Sequence, residues 1–157
     1  MKISIELLVS FDAHNDPSIL RLLRNLINLG WTIHHQGSIT YVPLNNDQDS
    51  DWITTKMSIE QFIQIATEKE ACNELIGVKM RFKDTPLEGK ILLQTQQRRK
   101  RLNQFFNVTL CVEDKISMIS GYDTKIPDVN WYLIQVLPCF NNNDGYVEFL
   151  TFIVDID

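Results

Sequence analysis

Three histidines, three cysteines and two charge runs are the residues of this chain whose types could carry chemistry. His34 and His35 are adjacent in the strand-like stretch Trp31-Thr32-Ile33-His34-His35, so their side chains should project to opposite faces and not share a metal. His14 falls in a turn before the first helical pattern. No HxH, HExxH or Cys/His zinc spacing occurs. Cys72, Cys111 and Cys139 lie far apart and form no CxxC. An odd number at such separations speaks against a disulfide framework and for buried or reduced thiols in the cytosol. No GxSxG marks a nucleophile, and the six glycines are scattered without GxGxxG or GxxxxGK[ST]. The chain thus carries no recognisable catalytic machinery. Neither a metal nor a cofactor is expected.

The two charge runs are more informative. Asp47-Gln48-Asp49-Ser50-Asp51 loosely suggests a calcium loop. Counting from Asp47, position six is Trp52 and position twelve is Ser58, where an EF-hand needs glycine and a bidentate glutamate. The run reads instead as a solvated loop or a protein-binding rim. Trp52 beside it, exposed and flanked by carboxylates, would suit an interface. The second run is Gln94–Arg101, QTQQRRKR. Arg98, Arg99, Lys100 and Arg101 could grip phosphates, with Phe105 and Phe106 just beyond. One short basic run in an acidic chain fits a charged hairpin tip better than a nucleic-acid footprint.

Charge is divided unevenly. Residues 1–75 hold five Lys/Arg and ten Asp/Glu, residues 76–101 eight and two, and residues 102–157 two and eight. These sums are −5, +6 and −6, giving the net −5 of the chain. A cationic partner for the acidic parts follows most directly, with a smaller anionic option for the middle.

Elements must position these groups. Ile3, Ile5, Leu7, Val9 and Phe11 alternate with other residues as a half-buried strand does. Asp16-Pro17 predicts an N-cap and first turn. Leu22, Leu26 and Leu29 share one helical face, and Gly30 ends it. Residues 31–35 and 38–42 predict two strand pieces around Gln36-Gly37. Asn45 to Asp51 is an exposed loop. Ser58 with Gln61 matches a capping box opening a second helix to about Asn73. Strands are expected from Gly77, at 90–97 and at 107–113. A late helix from Val129 should be kinked or shortened by Pro138. Val147 to Ile156, apolar on both faces, predicts a central or doubly covered strand.

At 157 residues the chain fits one α+β domain spanning 1–157. About three helices should pack on a largely antiparallel or mixed sheet. No apolar run reaches the ~18 residues of a membrane helix. Glu6 stands where a signal peptide needs its apolar core, so export by that route is not expected.

Several features together resemble the small acidic immunity proteins of bacterial polymorphic-toxin and contact-dependent growth inhibition systems. They are the lone acidic α+β domain without an enzyme signature, the late helix Val129-Asn130-Trp131-Tyr132-Leu133 leading to Val136-Leu137-Pro138, and the final apolar strand. The resemblance implies a cytoplasmic protein that binds one cognate toxin domain, nucleases among those implied, and blocks its active site. It supplies no residue-level motif. Loop placement makes Asp47, Asp49, Asp51 and Trp52 the candidate partner-binding residues, with Asp123, Asp128 and Asp144 as a second acidic set. Two alternatives stay open: a nucleic-acid-binding accessory protein using residues 98–101, and a small enzyme whose site is spatial and motif-free.

Overall fold

Period-two alternation lays down the longer strands, and one apolar layer runs across them. The computed structural model describes residues 2–11, 18–46, 51–82, 88–96, 104–112, 118–122, 126–140 and 145–155. In β1 (Lys2–Phe11), Ile3 and Ile5 are fully buried while Glu6 is exposed. Ile3 pairs with Val112 on one side and Val154 on the other, and Ile5 with Leu110 and Phe152. The layer continues through Ile91 and Leu93, then Ile76, Val78 and Met80. Each such side chain contributes about 1.5–3 kcal/mol by leaving water.

After β1 come α1 (Ile19–Asn28), β2 (Trp31–Thr32), β3 (His34–His35), β4 (Ser38–Tyr41), β5 (Ile53–Lys56) and α2 (Ile59–Ala71). Then follow β6 (Ile76–Phe82), β7 (Glu88–Gln96), β8 (Gln104–Val112), α3 (Val129–Phe140) and β9 (Gly145–Asp155). The fold is α+β, as the sequence predicts, and every strand pair is antiparallel. The sheet order is β3-β4-β6-β7-β8-β1-β9, with β2 paired to β6 and β5 to β4. No described helix is long and apolar enough to cross a membrane.

All three helices cover the face that carries the apolar layer. Leu22, Leu23 and Leu26 of α1, Phe62 and Ala66 of α2 and Tyr132 of α3 are buried against it. Ser18, not Asp16, caps α1: its Oγ accepts from Leu20 N–H at 3.1 Å. Asp16 and Pro17 lie outside the described residues. Leu29 is 47% exposed, because it is the C-cap and has left the helical stripe. Gly30 follows at φ +105°, the left-handed end expected of it. Ser58 and Gln61 form the predicted capping box. Gln36 (φ +49°) and Gly37 (φ +82°) make the two-residue turn between β3 and β4, a type I′ geometry that suits hairpin twist.

Residues 53–56 form a strand, although all are exposed and show no alternation to betray them. Pro138 does not shorten α3, which runs two residues past it. The acceptor this proline leaves unmatched belongs to Ile134, which is 59% exposed, so water can take the bond. Finally, β9 ends the strand order and pairs with β1 alone among the described strands. Its inward residues meet the core, with Phe152 6.0 Å from the Tyr132 ring, while Ile153 on the other face is 39% exposed. Apolarity on both faces therefore marks an edge strand here, not a central one.

Candidate functional site

One charged side chain among the described residues is buried. Lys69 sits at helical spacing from Phe62 and Ala66, so it faces the core with them and is 1% exposed. Its ammonium donates to Pro43 O at 2.8 Å, Asn46 O at 2.9 Å and Glu74 Oε2 at 2.9 Å. Three donors thus meet three acceptors. Glu74 is brought there by the end of α2. Asn73 takes φ +56°, its N–H bonds to Glu70 O, and Glu74 N–H reaches back to Lys69 O at 2.8 Å. This is a Schellman motif with asparagine in the left-handed position. Glu74 Oε2 also accepts from Asn45 N–H at 3.1 Å.

The consequence is a pinned loop base. Lys69 and Glu74 hold residues 43–46, and Asn46 Nδ2 donates to the carboxylate of Asp51. Asp47 and Asp49 lie outside the described residues, but the chain on both sides of them is anchored. Asp51 is exposed and Trp52 half-buried. Ile53, the next residue, is 41% exposed.

Trp52 lies on the face of the sheet opposite the helices. Gly77 and Leu92 are register partners on that face, flanked by the buried Ile76, Val78, Ile91 and Leu93. A Cβ on Gly77 would stand 2.6 Å from Val42 Cγ2 and 3.1 Å from Trp52 Cη2. Only glycine lets the indole settle there. Lys90 Nζ lies 5.2 Å from the centroid of the Trp52 ring, within cation–π range.

The same row continues along the hairpin of β6 and β7. Lys79 pairs with Lys90, and Arg81 with Glu88. Glu88 bridges two cations: Oε1 is 3.1 Å from Lys79 Nζ and Oε2 3.3 Å from Arg81 Nη2. Burial raises the Glu88 pKa, but the hydrogen bonds and charges of Lys79 and Arg81 outweigh it and hold the carboxyl below its ordinary value. Beside this trio the sheet opens. β4 meets β6 only at Tyr41 and Val78, whereas β2 meets it at Arg81 and Phe82. The divergence leaves an open cleft of about 110 Å³, lined by Thr32, His35, Ser38 and Thr40 together with Lys79, Arg81 and Glu88. His34 pairs with buried Ile39 and His35 with Ser38, so the two imidazoles do diverge. His34 Nε2 instead lies 3.2 Å from Met57 O.

Of the remaining candidates, Asp128 lies among the described residues. It is half-buried and uses Oδ1 to accept from Trp131 N–H at 3.0 Å, which caps the first turn of α3. That helix packs on β9, at the opposite end of the strand order from the β4–β5 pair. Asp128 is therefore not gathered with Asp51 and Trp52. Asp123, Asp144 and the basic run Arg98–Arg101 lie outside the described residues. Among the described residues, no three His, Cys, Asp or Glu side chains cluster as metal ligands would.

Sequence reasoning missed Lys69, because a lysine in an amphipathic helix ordinarily faces water. It also missed the Lys79–Glu88–Arg81 trio. The register of β6 with β7, which local pattern does not fix, is what sets Glu88 opposite Arg81 and within reach of Lys79. Compared with family models, with curated proteins and with solved structures, the chain matches none.

Proposed function

We propose that the chain is a protein-binding inhibitor of the immunity type, which neutralises a cognate toxin domain in the cytoplasm. The observation that carries this reading is the pinned segment Asp51-Trp52-Ile53. It combines an exposed carboxylate, a half-buried indole and an exposed aliphatic side chain on a frame held by Lys69 and Gly77. Ordering an interface before it binds lowers the entropic cost of association. Tryptophan is among the residues that dominate interface energies. Carboxylates around it would meet the basic cleft of a nuclease and speed encounter.

The test is cross-linking of the tagged chain in its native host, followed by mass spectrometry and purification of the captured protein. One dominant partner is expected, toxic when expressed alone and harmless when coexpressed with this chain. Trp52→Ala should weaken protection. A partner whose toxicity coexpression leaves unchanged contradicts the proposal.

A further inference from the structure

The cleft between β4 and β6 has a chemistry of its own, apart from the Trp52 segment. Two permanent cations, Lys79 and Arg81, converge there on one carboxylate. Glu88 uses a different oxygen for each, so the cations already span a two-oxygen anion. A phosphate group presents the same pair of oxygens. It also has further oxygens for Ser38, which lines the same cleft, and for Thr40, whose hydroxyl already shares a hydrogen bond of 2.9 Å with that of Thr54. The Glu88 side chain is 31% exposed and its bond to Arg81 is long, at 3.3 Å, so it can swing into solvent.

We propose that this cleft binds a phosphomonoester, and that Glu88 is the internal counter-ion which the ligand displaces from Lys79 and Arg81. The charge balance selects the ligand. Replacing Glu88 by a phosphodiester exchanges one negative charge for one and gains nothing. Replacing it by a phosphomonoester, nearly a dianion at pH 7.5, gains a full unit of attraction. The cleft, about 110 Å³, has room for the phosphate group itself, and the rest of the ligand would extend into solvent. This site would act alongside protein binding, and its test does not depend on a partner.

The experiment is amide NMR titration of the full chain at pH 7.5 and low salt with AMP, inorganic phosphate and 3′,5′-cyclic AMP. AMP and inorganic phosphate should bind with Kd below ~1 mM and shift Ser38, Thr40, Lys79 and Arg81 amides. Cyclic AMP, which shares the base but is a diester, should bind at least about fivefold more weakly. Lys79→Gln and Arg81→Gln should each weaken AMP binding about fivefold, and Glu88→Gln should tighten it about fivefold. All three side chains are partly exposed, so the variants are expected to fold, and their spectra will show it. AMP Kd above ~10 mM, equal affinity for the cyclic diester, or no tightening in Glu88→Gln overturns the proposal.

Discussion

Lys69→Met should be among the most damaging single substitutions that leave the apolar core intact. Methionine keeps the length and apolar stem of the lysine but removes the ammonium. Pro43 O and Asn46 O lose their donor, and Glu74, 14% exposed, loses its counter-charge. Breaking one side of a buried ion pair costs about 3–5 kcal/mol, and the two part-buried carbonyls that lose the ammonium add at most about 1–3 kcal/mol each. Water entering at residues 43–46 will satisfy part of this, which places the net loss near ~3 kcal/mol. For a chain of this size that lowers Tm by roughly 6–12 °C. The assay is urea denaturation followed by tryptophan fluorescence and far-ultraviolet circular dichroism. Glu74→Gln, alone and in the double variant, completes a thermodynamic cycle. The double variant should lose clearly less than the sum of the singles. A loss under ~1 kcal/mol in Lys69→Met, or strict additivity, would refute the clamp.

Gly77→Ala should cost about 1–3 kcal/mol and alter Trp52 fluorescence, since its Cβ meets Val42 at 2.6 Å and Trp52 at 3.1 Å; unchanged emission would show the indole is not seated there. Leu26→Ala should cost ~2–5 kcal/mol in chemical denaturation and Leu29→Ala under about 0.5 kcal/mol, because the first is fully buried and the second 47% exposed. Equal losses would misplace the end of α1. Glu88 has a folded pKa below its ordinary 4.5, so its contribution is present above that value and lost as pH falls through the lowered one. Thermal melts of wild type and Glu88→Gln should therefore differ at pH 7 and converge once the pH has fallen below that lowered value. A gap that persists in acid would mean the two cations do not hold the carboxylate.

Periodicity carried most of the fold. The β1 alternation, the capping box at Ser58 and the Gln36-Gly37 turn are local signals, and local chemistry decides them. What stayed hidden depends on neighbours distant in sequence. Ile53–Lys56 is a strand because it pairs with β4, not because of its own pattern. β9 is apolar on both faces yet lies at an edge, since no amount of periodicity reveals strand order. The site divides the same way. Asp51 and Trp52 stood out as an acidic loop beside an aromatic. The parts that fix them, Lys69, Glu74 and Gly77, come from α2, its C-terminal turn and β6. Gly77 makes a seat that half-buries Trp52, which no local pattern reveals.

The central claim, protein binding through the Asp47–Ile53 segment, is tested most directly by surface plasmon resonance against the cross-linked partner. The measured chains are wild type, Asp47→Asn/Asp49→Asn/Asp51→Asn and Trp52→Ala, each first shown to be folded by circular dichroism. The carboxylate variant should mainly associate more slowly and lose salt dependence, while Trp52→Ala should mainly dissociate faster. Unchanged kinetics in both folded variants would contradict the claim and remove this segment from the interface.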